Sequence, residues 1–119
     1  MNDQGKTAEE ILVWLRALTA GWLGVEEGTS HDNPCFRVGK SPFAVVDHYQ
    51  GEDCLFLKIE PAQRAAVLAK PGWFPAPYDP NERGACRRLQ DFDLTEAEPL
   101  VLTSYRLAAP RRISKTWAP

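Results

Sequence analysis

The sequence predicts one α+β domain, a set of antiparallel strands flanked by helices. Three observations predict it. A helix-capping pattern followed by apolar residues at helical spacing stands near each end of the chain. Between them lie short apolar or alternating runs separated by Gly-bearing turns, as in hairpins. The 119 residues hold no repeat or internal linker, and 44% hydrophobic with 25% charged residues is the composition of an ordinary globular domain.

The first helix is predicted over Ala8 to Ala20. Thr7-Ala8-Glu9-Glu10 is a capping box, and Ile11, Leu15, Leu18 and Trp22, with Trp14 beside them, form one apolar stripe. Trp14 and Trp22 therefore read as core residues. Leu23 to His31, bounded by glycines and polar, reads as a connection leading into an edge strand. Cys35 to Val38 is extended, with Phe36 and Val38 on one face. Gly39-Lys40-Ser41 turns the chain, and Pro42 to His48 returns as a strand, Pro42 standing at its start where a missing donor matters least. Gln50 to Asp53 is a second turn, and Cys54 to Ile59 a third strand.

Pro61 opens a second helix that runs from Ala62 to Lys70 and stops at Pro71-Gly72. Trp73 to Tyr78 is interrupted by Pro75 and Pro77, so any strand there lies at an edge. Asp79 to Gly84 is a loop, and Ala85 to Leu89 the fifth strand. Thr95 with Glu98 reads as a second capping box, Pro99 falling in the first turn. Val101, Leu102, Tyr105, Ala108 and Ala109 give the last helix its apolar face, and Pro110 ends it. The predicted order is α-β-β-β-α-β-β-α, with residues 1–6 and 113–119 as flexible tails, Trp117 being the one side chain that could dock the second.

No apolar run approaches the ~18 residues of a membrane span. Met1 to Lys6 is polar, without the apolar core of a secretory signal, and Cys35, Cys54 and Cys86 are too few and too widely spaced for a disulfide scaffold. A cytoplasmic protein with buried reduced thiols is the expectation. His31-x-x-x-Cys35 is half of a metal site with no second pair, so neither metal nor other cofactor is predicted. The formal net charge is −2, unevenly spread. Met1 to Glu60 carries ten acidic and five basic residues, and Pro61 to Pro119 six acidic and nine basic. Such asymmetry marks either a basic face or an ordinary solvated surface.

No catalytic signature is present: no Walker motif, no G-x-S-x-G, no G-x-G-x-x-G. Ser30 and His31 are adjacent and on an extended segment would point opposite ways. Glu26-Glu27 reads as exposed loop residues, and His48 as a surface or packing histidine.

Several stretches resemble the MmcQ/YjbR family of small bacterial proteins. They are Leu23-Gly24-Val25-Glu26-Glu27-Gly28-Thr29-Ser30, Cys35-Phe36-Arg37-Val38-Gly39-Lys40, Phe43-Ala44-Val45-Val46, Leu57-Lys58-Ile59 and Tyr105-Arg106-Leu107-Ala108. They occur in the family's order and extend the resemblance from about Thr7 to Arg112. The resemblance implies a curved antiparallel sheet with helices packed mainly on one face, as in type III secretion chaperones, and a DNA-binding role. The chain departs from the family pattern between Asp79 and Arg88, where members have a short loop and an aromatic-rich strand.

A DNA-binding module without catalytic activity is the leading expectation. Its candidate phosphate contacts are Arg83, Arg87, Arg88, Arg111, Arg112 and Lys115, since guanidinium forks match phosphate oxygens. Arg87 and Arg88 point to opposite faces if both are in a strand, and Asp79, Glu82, Asp91 and Asp93 are competing partners for these cations. An alternative is a protein- or peptide-interaction module using a concave sheet. A second is a small-ligand or enzyme site around Thr29, Ser30 and Lys58.

Overall fold

The computed structural model describes residues 6–116, with side chains through residue 113. The α+β prediction is what forms. Six strands make one antiparallel sheet in the order β1-β2-β3-β4-β6-β5. They are β1 (Val25–Ser30), β2 (Asn33–Val38), β3 (Ser41–Tyr49), β4 (Glu52–Lys58), β5 (Trp73–Phe74) and β6 (Gly84–Arg88). The helices are α1 (Ala8–Thr19), α2 (Arg64–Leu68), α3 (Leu94–Ala108) and α4 (Arg111–Thr116). Pro61–Gln63 forms a 3-10 turn, so the second helix is shorter than the predicted Ala62 to Lys70.

The capping box of α1 closes in both directions: Thr7 N–H donates to Glu10 Oε1 at 2.9 Å and Glu10 N–H to Thr7 Oγ1 at 3.1 Å. Ile11, Leu12 and Leu15 are buried as their spacing requires.

Two tight turns of the same kind help set the register of the meander. His31 and Asp32, with φ of 52° and 69°, close β1 onto β2, and Gln50 and Gly51, at 54° and 82°, close β3 onto β4. Two consecutive positive-φ residues match the twist of a hairpin. The segment read as a connection is thus the edge strand itself, paired from Val25↔Val38 to Ser30↔Asn33. Its polar sequence hid it, because an edge strand carrying Glu26 and Glu27 lacks the apolar alternation that marks a half-buried one.

Strand alternation then divides the residues between two faces. On one, Phe36, Val38, Phe43, Val46, Leu55, Leu57 and Ala85 meet Ile11, Leu15, Val101 and Tyr105 of α1 and α3. The rings of Phe43 and Tyr105 pack edge-to-face at 5.5 Å, and Trp22 lies 5.1 Å from Tyr105. Ser104, fully buried, donates its hydroxyl to Phe43 O and accepts from Lys58 N–H at 2.8 Å, which fastens α3 to β3 and β4. Tyr105 donates to Leu23 O at 2.6 Å. A register shift between Phe36 and Arg37 puts a bulge in the β2–β3 pairing, which bends the sheet.

Two boundaries differ from expectation. The N-cap of α3 is Asp93, whose Oδ1 accepts from Thr95 N–H at 2.9 Å and Glu96 N–H at 3.3 Å. Asp93 and Glu96 have the same three-residue spacing as Thr95 and Glu98, and the carboxylate takes the cap. Pro99 consequently lies beyond the first turn, on the exposed side, where water can serve the carbonyl it leaves without a partner. Beyond Pro110 the chain forms α4, with Ile113 buried, where a flexible tail was expected. At the other end Lys6 N–H donates to Leu89 O at 3.0 Å. The remainder of the predicted tails, residues 1–5 and 117–119 with Trp117, lies outside the described residues.

Candidate ligand groove on the helix-free face

Among the described residues the opposite face of the sheet carries no helix. By register it presents Asn33, Cys35 and Arg37 from β2, Val45, Asp47 and Tyr49 from β3, Cys54, Phe56 and Lys58 from β4, and Cys86 and Arg88 from β6. A groove of about 910 Å³ runs over it. Val45 and Phe56 form its floor, and the β1–β2 tip (Ser30, His31, Asn33) forms one wall. The Ala76-Pro77-Tyr78 loop forms the other, with Pro42, Asp47 and Lys58 along the length.

An aromatic ladder shapes one side. Tyr49 stands 6.4 Å from Phe74 and 6.0 Å from Tyr78, and the Arg88 guanidinium lies over Phe74 at 4.5 Å while pairing with Glu52 at 2.9 Å. Burial, followed by a hydrogen bond to Asp47, pushes the Tyr49 phenol well above its ordinary range, so it is a neutral donor here. Tyr78 is 84% exposed, the most exposed large apolar side chain described.

All three cysteines are on this face, buried and outside any disulfide. Burial pushes the Cys35 thiol up. Cys86 is raised first by its hydrogen bond with Cys54 and then by burial. A protonated, covered thiol is no nucleophile. Among the described residues no three His, Cys, Asp or Glu side chains converge as a metal ion would require.

Lys58 lines the groove half-buried, and its ammonium affinity for a proton is lowered first by burial and then by the neighbouring Arg83, with Asp79 opposing. Asp79 is already occupied, accepting from Arg83 N–H at 3.0 Å and Gly84 N–H at 2.9 Å. Gly84, paired with Lys58, is required by packing: a Cβ there would come within 2.3 Å of Leu57 O.

The sequence-predicted residues are therefore separated. Ser30 and Lys58 share the groove, and Thr29 points from β1 to the other side. Arg83 stands beside Lys58 at the groove's end. Arg87 is buried on the helix side, 7% exposed, donating to the carbonyls of Arg88, Gln90 and Asp91 at 2.8–3.1 Å, with Phe92 beneath it and Glu96 at 3.9 Å. That guanidinium holds the β6–α3 connection together and is almost wholly enclosed. Arg88 is held by Glu52 and Phe74. Arg111 and Arg112 are exposed on α4, whose span also includes Lys115, and α4 packs by Pro110 and Ile113 against Gly39 and Gly24, at the β1–β2 end of the sheet. The five arginines among the predicted cations do not share one face.

His31, Asp47, Tyr49 and Tyr78 were not among the predicted site residues. The signal for two of them was the alternation Val45-Asp47-Tyr49, which sets a polar residue and an aromatic on the face away from Val46.

The chain is thus an open-faced antiparallel sheet closed by helices on one side and grooved on the other. It belongs to the YjbR family, whose model matches residues 20–107. Two solved structures are similar in fold. A Deinococcus radiodurans protein, DR2400, with a DUF419 domain, is 19% identical with a TM-score of 0.72, over 97% of this chain and 90% of that one. A protein from Pseudomonas syringae is 18% identical with a TM-score of 0.66, over 81% of this chain and 97% of that one. No curated protein matches the sequence.

Proposed function

We propose that this domain is a binding module without catalysis of its own, which takes an extended segment of a partner polypeptide into the groove on the helix-free face. The observation that supports the reading is the groove's composition. An apolar floor of Val45 and Phe56 lies between polar groups on both sides and an aromatic wall ending in exposed Tyr78. An extended peptide presents alternate side chains to such a floor and its polar groups to the rim. The volume, about 910 Å³, lies at the upper end of the ~300–1,000 Å³ of small-molecule pockets, which suits a longer occupant. An exposed aromatic such as Tyr78 supports the reading, since aromatic anchors of this kind dominate interfaces. The duplex-DNA reading draws on phosphate contacts, and here Arg87 is enclosed, Arg88 is paired, and Asp47 and Glu52 share the face. That the Cys35 thiol is raised by burial and the Cys86 thiol by its hydrogen bond with Cys54 and then burial, and that no hydrogen bond joins Ser30 to His31 or Lys58 among the described residues, favours binding over catalysis.

The test is selection from a random peptide display library on the immobilised chain, followed by titration of the enriched peptides. Tyr78→Ala should weaken them at least tenfold, a hot-spot effect. Failure to enrich any sequence, or unchanged affinity in the variant, overturns the reading. Salt-dependent binding of a short DNA duplex would restore nucleic acid as the ligand.

A further inference from the structure

One cation in the groove lacks a counter-ion. Lys58 stands at the end of β4, its backbone held by Ser104, its side chain half-buried and facing the groove. Its partner across the ladder is Gly84, so no side chain covers it from β6. The nearby carboxylates are committed elsewhere. Asp79 accepts two backbone N–H groups, and Glu82 lies toward Arg64 at 3.9 Å. Among the described residues no acidic group is within ion-pair distance of the Lys58 ammonium. Arg83, next to Gly84, adds a second positive charge at the same end, and a half-buried ammonium beside another cation is an arrangement that an anion relieves.

Resting on the groove as the binding site, we infer that Lys58, with Arg83 beside it, is the subsite for a carboxylate of the bound segment, whether a chain terminus or an Asp or Glu side chain. The remainder of the groove then fixes direction: the carboxylate sits at the Lys58 end, and the apolar side chains run over Phe56 and Val45 toward the Tyr49–Tyr78 wall.

The first measurement uses simple anions. Acetate, and separately inorganic phosphate, is titrated into the full-length, isotope-labelled chain. Saturable amide shifts are expected for acetate at Lys58, Arg83 and Gly84, lost in Lys58→Gln and kept in Lys58→Arg. Shifts scattered over the surface, shifts unchanged in Lys58→Gln, or saturation by phosphate alone overturn the carboxylate subsite. The second measurement uses groove-binding peptides with their carboxylates intact or neutralised. Lys58→Gln should weaken the intact peptide about tenfold and leave the neutralised one unchanged, as expected for one charge-assisted contact. Amidating the C-terminus or replacing Glu by Gln identifies the carboxylate's source. Equal loss for both peptides overturns the subsite while the groove stands. Acetate binding at Lys58 with no peptide ever captured overturns the peptide reading while the subsite stands.

Discussion

The two faces of this sheet are made by the same strands, residue by alternate residue, and they solve different problems. On the helix side apolar side chains of β2, β3, β4 and β6 meet α1 and α3, and the buried Ser104 hydroxyl and the two terminal nitrogens of Arg87 bond to backbone, while Arg87 Nε, 3.9 Å from Glu96, makes no hydrogen bond. On the open side, small buried thiols alternate with Tyr49, Phe56 and Arg88, and the long side chains shelter the short ones without filling the space above them. The first face makes the fold and the second leaves a groove. Alternation alone supplies both.

The comparison can be broken most decisively by truncating one large ring on each side. Phe43→Ala removes a fully buried ring that touches Trp22 and Tyr105, and should cost about 3–5 kcal/mol in denaturant unfolding. Tyr78→Ala, on the open side, should stay within about 0.5 kcal/mol of the parent. Equal losses would mean that the groove wall is structural. Next in size is Ser104→Ala, which leaves Lys58 N–H and Phe43 O without their buried partner and should cost about 1–3 kcal/mol. A loss well below that would show that α3 is held by apolar packing alone.

The smallest effect concerns the rim where α1 meets β1. Arg16 reaches Glu27 through two bonds of 2.9 Å, and this hydrogen bonding holds the Glu27 carboxyl below its ordinary 4.5. A lowered folded value means that the contribution is present above pH 4.5 and lost as pH falls through the folded value. The stability difference between the parent and Glu27→Gln, small because the pair is exposed, should therefore shrink in acid below pH 4.5. A difference that persists there would assign it to packing.

Legibility in the sequence followed the two faces. The apolar stripe of α1, the strands through Val38, Val46 and Leu57, and the resembling stretches Phe43 to Val46 and Leu57 to Ile59 concern positions where burial imposes a period. Those features were readable and belong to the helix side. Val25–Ser30 escaped as a strand because its edge position asks for charge rather than alternation, and α4 escaped because Ile113, its one buried residue among those whose side chains are described, makes no pattern. The Asp93 cap was missed because two overlapping spacings of the same motif stand two residues apart. Of the candidate site, Ser30 and Lys58 were named together, although what unites them is strand pairing across β1 to β4, which composition does not carry. The arginines were chosen for their type, and their fates were decided by faces. Arg87 and Arg88 are neighbours in sequence, one enclosed under α3 and the other lying on Phe74.

The thiols have a use of their own for anyone measuring this molecule. Cys35, Cys54 and Cys86 are native, sealed and all on the grooved side, so a thiol-reactive dye can modify them only when that side opens. Their labelling rates form a built-in clock for local opening that needs no engineered probe. An occupant of the groove, by stabilising the closed form in proportion to its concentration over its Kd, should slow that clock and so announce itself before its chemistry is known.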